Sequence, residues 1–220
     1  MPAKILKAIK NPWLIILYLH KHWHYFIVSL RSREIVQIYK NGDMYYKYKG
    51  DLYPEYLNKG NASSFIVDKA KQYCIGKGID IGADAWPLPG AIPILNEEHQ
   101  NAYKLDNFPD NSLDYVFSSH CLEHLDKWQA ALKLWIKKIK QQGILFLYLP
   151  HKSMKMWNRG GPWVGYGHKW IPTAEVVNKF LKKNGMEIIE YNPSKDKYWS
   201  FHIVAKKTDC EHVKQGHNSL

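Results

Sequence analysis

The sequence predicts an α/β fold from residue 61 onward: a doubly wound, mainly parallel sheet of the seven-stranded type with an antiparallel pair at one edge. A small helix and hairpin extension precedes it. Two observations predict this. From Gly78, short strand-like runs alternate with segments of helical period, the pattern of parallel strands joined by crossovers. The last two strand-like runs, 186–191 and 198–206, are joined by a connection too short for a crossover helix, so they pair antiparallel.

Residues 1–60 read as a basic, aromatic extension. Residues 13–19 form an apolar run behind Lys4, Lys7 and Lys10, far short of the ~20 residues of a spanning helix, and no small-residue cleavage site follows. A helix docked on the domain is expected there, and the mixture through His20 to Phe26 also suits a bilayer interface. His20, His22 and His24 diverge around a helix axis and cannot share a metal. Two runs, 35–39 and 44–48, flank Asn41-Gly42, a dipeptide suited to a tight hairpin turn with positive φ. The Tyr-rich stretch that follows suits either β packing or stacking on a sugar or base.

The main domain is expected over 61–206. Asn61-Ala62-Ser63-Ser64 offers caps for a helix over 65–73. Strands are expected at 78–82, near 91–95 and at 114–119, with a further candidate at 101–105. Trp128, Ala131, Leu132, Trp135, Ile136 and Ile139 share one face of a helix over 126–141, with Lys133, Lys137, Lys138 and Lys140 off it. Strand 143–149, a Gly/Trp-rich loop at 150–171 and helix 173–184 lead to the edge pair. A polar tail occupies 207–220.

The 220 residues, 45% of them hydrophobic, can bury a core and exclude a disordered chain. Cys74, Cys121 and Cys210 are odd in number and lack metal spacing, which suits a cytoplasmic protein better than a disulfide framework. Of the net charge of +11, residues 1–77 carry +8, from 13 Lys/Arg and 5 Asp/Glu. Such a surface is either solvated or drawn to an anionic partner: a membrane surface, a charged glycan or RNA.

Two segments carry the chemistry. Gly78-Ile79-Asp80-Ile81-Gly82-Ala83-Asp84 runs a strand into a turn, where Gly82 lets backbone approach a ligand and Asp80 can organise the turn. The second runs from Leu105 to His124: an acidic loop, a strand and a polar exit into a Leu-Glu-His helix entry. In this order they resemble the cofactor half of class I S-adenosylmethionine (SAM) dependent methyltransferases. The nicotinamide-type G-x-G-x-x-G is absent.

The resemblance implies SAM as cofactor, with Asp80, Gly82, Ala83 and Asp84 at the first turn. Asp84 stands where the family usually has a second glycine, and Trp86-Pro87-Leu88-Pro89-Gly90 replaces the usual first helix. The acid that ends the second strand and binds the ribose falls near Leu95, leaving Asn96 or Glu97 for that role. The loop Asp106-Asn107-Phe108 implies an adenine site, with Phe108 on the ring face. Ser119, His120 and His124 imply cofactor contacts beyond the next strand. No metal is called for.

Methyl transfer to a hydroxyl needs a base as well as positioning. His168, His151 and His120 are the candidates, and Trp163, Tyr166 and Trp170 are expected to bind acceptor. A resemblance to short methyltransferases of surface-polysaccharide pathways implies an oxygen or nitrogen acceptor on a small molecule or glycan, a lipid-linked sugar among them. An RNA methyltransferase and a non-catalytic binding module on the same fold stand as alternatives.

Overall fold

The computed structural model describes residues 29–58, 61–98 and 100–208, together with Trp23, Phe26 and Ile27. The expectations for residues 1–22, His20 and His22 among them, for His24 and for most of the tail lie outside the described residues. The chain divides into two compact units, residues 1–58 with 155–168 and residues 59–154 with 169–220.

The first unit holds an antiparallel sheet of β1 (Val36–Lys40), β2 (Asp43–Tyr48) and β3 (Asp51–Pro54). Asn41 and Gly42 both take positive φ (54° and 87°), as the expected hairpin turn requires. Lys49 and Gly50 repeat that geometry (47° and 86°) and add β3, which was not expected. Lys155 pairs with Asp51 at 2.7 Å and donates to the Lys49 carbonyl, which ties 155–168 to these strands. Trp163 packs edge-on against Tyr46 and Tyr53.

The second unit is built on a six-stranded sheet, in the order β5-β4-β6-β7-β9-β8. Its strands are β4 (Gly78–Ile81), β5 (Ile92–Ile94), β6 (Leu113–Ser119), β7 (Ile139–Pro150), β8 (Met186–Asn192) and β9 (Ser200–Lys207). β4 to β7 are parallel, and β9 runs antiparallel between β7 and β8. This is the expected parallel sheet with its antiparallel edge, with six strands where the seven-stranded type was expected. The candidate strand 101–105 is a correction: Asn101 and Lys104 exchange two backbone bonds in a tight turn, and the Asn101 side chain accepts from Tyr103 N–H.

Helices cover both faces, because successive residues along the central strands point to opposite sides and most are buried. On one face α2 (Trp128–Lys138) and α3 (Ala174–Lys183) bury Leu132, Trp135, Val177 and Leu181 against Ile79, Val116, Leu147 and Ile203. On the other, α1 (Val67–Tyr73) packs Ala70 among Tyr115, Phe117, Phe146 and Val204. α2 stops three residues before its expected end, at Lys138; Ile139 already pairs with Leu113, and Gln142 turns at φ 62°. Residues 82–91 contain no helix, as the Pro-rich sequence there implies. Strand order reverses beside β4, so the carboxyl ends of β4 and β6 frame the crevice where an open α/β sheet takes its ligand.

Candidate active site

That crevice is a cleft of about 300 Å³ lined by Gly82, Ala83 and Asp84 after β4, Ser119 and His120 after β6, Trp86, and Asn61 to Ser63. Gly82 donates to the Ile94 carbonyl (3.0 Å) and turns at φ 81°. A side chain there would meet Cβ of Cys121 at 2.5 Å, so only glycine closes the turn against β6. Asp84 sits in the left-handed region at φ 44°, a conformation that short Asp side chains tolerate at some cost. An aspartate thus takes the kind of turn that glycine serves more easily.

Asp80 lies beneath the turn, 1% exposed, and accepts from Leu88 N–H at 2.8 Å. Burial pushes its pKa up to about 7, against the lowering effect of the Leu88 bond. It organises the 83–90 loop. Ser118 donates to the Ile81 carbonyl and locks β6 to β4, while the neighbouring Ser119 hydroxyl is buried with no hydrogen-bond partner among the described residues. His120 takes φ 49°, with its N–H on the Tyr148 carbonyl and Nε2 2.9 Å from the Ser200 hydroxyl. Ser200 is itself held by Asp196, which accepts from Ser200 N–H (2.9 Å) and from the Tyr148 hydroxyl (2.7 Å). His120 Nδ1 lies 3.7 Å from Glu123, a fully buried carboxyl whose pKa burial pushes up to about 8.

The cleft therefore joins five of the expected cofactor residues: Gly82, Ala83, Asp84, Ser119 and His120. The sequence marks Asn61 and Ser63 only as helix caps. Asn61 caps Ser64 N–H from a left-handed turn, and the Ser63 hydroxyl donates to the Trp86 carbonyl at 2.9 Å. Phe65 stacks on Tyr198, ring centroids 4.1 Å apart, which fixes the other end of this short 3-10 turn. Only the Asn-x-x-Ser cap was visible in the sequence, and it signals a helix start rather than a ligand.

Other expected residues lie elsewhere. Asn96 and Glu97 are exposed just beyond β5, and Asp106 and Asn107 are exposed on their loop. Phe108, expected to stack on a purine, is packed in the core cluster and 6% exposed. His124 is exposed on the Leu122–His124 turn. His151 stands beyond β7 in a separate pocket, with Nδ1 accepting from Ser153 N–H. Trp163, Tyr166 and His168 belong to the first unit. Trp170, in the second, stacks on Trp128 and donates to the Leu122 carbonyl at 3.0 Å.

Residues 78–147 match a family model described as a methyltransferase domain. A SAM-dependent methyltransferase from Thermotoga maritima shares 16% identity over 70% of this chain and 92% of its own, with a TM-score of 0.54. A methyltransferase from Haloferax volcanii, solved in complex with a methyltransferase activator, shares 10% identity over 69% of this chain and 90% of its own, TM-score 0.51. At these identities the likeness is one of fold. No curated protein matches the sequence.

The matched segment lies on the strands that frame the cleft, and the sheet order is that of a methyltransferase-like α/β fold. Over residues 78–147 the chain resembles a methyltransferase domain, and its fold is one that SAM-dependent methyltransferases share, which makes the cofactor to test SAM. The cleft fits that molecule on its own geometry. Gly82 leaves bare backbone at the turn, and the buried Ser119 hydroxyl offers an unsatisfied polar atom to a ligand. No helix among the described residues is long and apolar enough to cross a membrane.

Proposed function

We propose that this methyltransferase acts on a hydroxyl of a sugar-bearing small molecule or glycan, with His120 as general base. The orientation of His120 supports the reading. Ser200 Oγ donates to the Tyr198 carbonyl at 3.2 Å, so it accepts from His120 Nε2–H. With its proton on Nε2, the imidazole keeps Nδ1 basic. SAM, when bound, supplies a methyl group on a sulfonium. The hydroxyl must shed a proton as it attacks, and a positioned base that takes it contributes about 10²–10⁴-fold. Ser200 holds the ring, and the Tyr148 carbonyl holds the His120 backbone N–H, at the cleft wall, so little reorganisation is needed. The basic excess over residues 1–77 supports an acceptor presented at an anionic surface, such as a lipid-linked sugar.

The test has two parts. S-adenosylhomocysteine should bind in calorimetry, and methyl-labelled SAM should mark the glycan or sugar-lipid fraction of an extract. His120→Ala should then lower kcat about 10²-fold or more while changing cofactor affinity far less. Failure of S-adenosylhomocysteine to bind at millimolar concentration would end the proposal. Label in RNA would reassign the acceptor, and an undiminished kcat would remove His120 as the base.

A further inference from the structure

On the opposite face of the sheet from the His120–Ser200 contact, a pocket of about 470 Å³ opens at the carboxyl end of β7. Its walls are His151 and Lys152 after β7, Pro172 to Glu175 at the head of α3, Pro193 to Lys195 between β8 and β9, and Phe201. Alternation along β9 assigns the face: Phe201, Ile203 and Ala205 join the core with α2 and α3, whereas Ser200 meets His120 and Val204 packs toward α1.

The charged side chains of the lining are Lys152 and Lys195 against Glu175. Burial, then Lys152 and Lys195, hold the His151 pKa below its ordinary value, so both ammonium groups lie within electrostatic reach of one ring. Lys195 Nζ is held 3.4 Å over the Trp199 ring. The His151 ring is fixed by the Ser153 N–H and the Pro193 carbonyl, which makes it a wall. Glu175 is the acid of the lining, and its carboxylate is engaged by its own N–H and by Thr173. The positive end of α3 opens on the same space and adds to the field of the lysines.

We propose that this pocket binds the phosphoryl group of a small molecule, with Lys152 and Lys195 as its cations. The proposal goes beyond the methyl-transfer reading, because the pocket and the cofactor cleft share no lining residue. Its volume falls within the range of ordinary ligand pockets, roughly 300–1,000 Å³, and has room for more than the anion. A phosphorylated sugar and free pyrophosphate share the chemistry, and the test separates them.

The full chain is titrated calorimetrically at low ionic strength with inorganic pyrophosphate and with glucose 1-phosphate, where screening is least. At least one probe should bind. Lys152→Met with Lys195→Met should weaken it at least tenfold, while S-adenosylhomocysteine affinity stays within twofold. A control pair of equal charge, Lys182→Met with Lys183→Met, should leave binding intact. Tighter binding of glucose 1-phosphate would identify a phosphorylated sugar as the ligand, and tighter binding of pyrophosphate the free anion. The proposal is overturned if neither probe binds at millimolar concentration, or if the control pair weakens binding as much as the first. S-adenosylhomocysteine binding is read separately, so failure here leaves the methyl-transfer reading standing.

Discussion

Glu123 and Asp80 show how a single buried carboxyl can make the stability of this domain depend on pH. Glu123 is fully buried and its pKa is pushed up to about 8 from an ordinary 4.5, by burial. Because the folded-state value is the higher one, the stability linked to its proton is complete below about pH 4.5 and is lost as pH rises through 8. Glu123→Gln removes the titration while nearly keeping the shape. Relative to that variant, the wild type should weaken between pH 5 and 9 by on the order of a few kcal/mol. Thermal unfolding of both proteins across that range measures it. A gap that does not change with pH would show that the carboxyl is already ionised in the folded state.

At the scale of elements, the short turn Ala62–Phe65 does what a longer helix after β4 does not do here. Residues 82–91 are a helix-free loop, and the turn lines the cleft beside them and is tied to them by the Ser63 bond to the Trp86 carbonyl. Ser63→Ala deletes the bond to the Trp86 carbonyl, worth about 1 kcal/mol, and should weaken S-adenosylhomocysteine binding roughly threefold to tenfold. Unchanged affinity in calorimetry would mean that the turn merely borders the site. The edge strand β8 has its own clamp: Glu190 accepts from Lys69 (2.7 Å), from Tyr73 and from His202 (2.6 Å), joining β8 and β9 to α1. Burial alone would raise its pKa, but these bonds prevail and hold it at about 2. A depressed carboxylate stabilises the fold above its ordinary pKa and ceases to do so as pH falls through the lower value. Glu190→Gln should therefore lower Tm at pH 7 and narrow the gap to wild type toward pH 2; a Tm equal to wild type at pH 7 would refute the clamp.

Across the whole molecule, what was legible in the sequence was local. β4, β6 and α2 announce themselves through apolar runs and one helical stripe, and the Gly82 turn through its spacing. β3 was not legible because Lys49-Gly50 lacks the Asn-Gly signature, although it adopts the same two positive φ values. The loop 150–171 reads as one piece, yet Lys155 and Trp163 pair with residues more than 100 positions earlier, and Trp170 packs on Trp128. Phe108 has the composition of a stacking platform and the burial of a core residue, which one sequence cannot distinguish. The support of His120 was hidden for the same reason: Ser200 lies 80 residues downstream and Asp196 belongs to a plain polar loop. That long reach bears on how the enzyme is made. β9 is the last strand of the chain among the described residues, and it enters between β7 and β8 to bring Ser200 under the imidazole. A nascent chain can lay down the Gly82 turn and all of β6 while His120, the base we propose, still lacks its partner Ser200. On that proposal, the imidazole gains its orienting hydroxyl only once β9 has been threaded home.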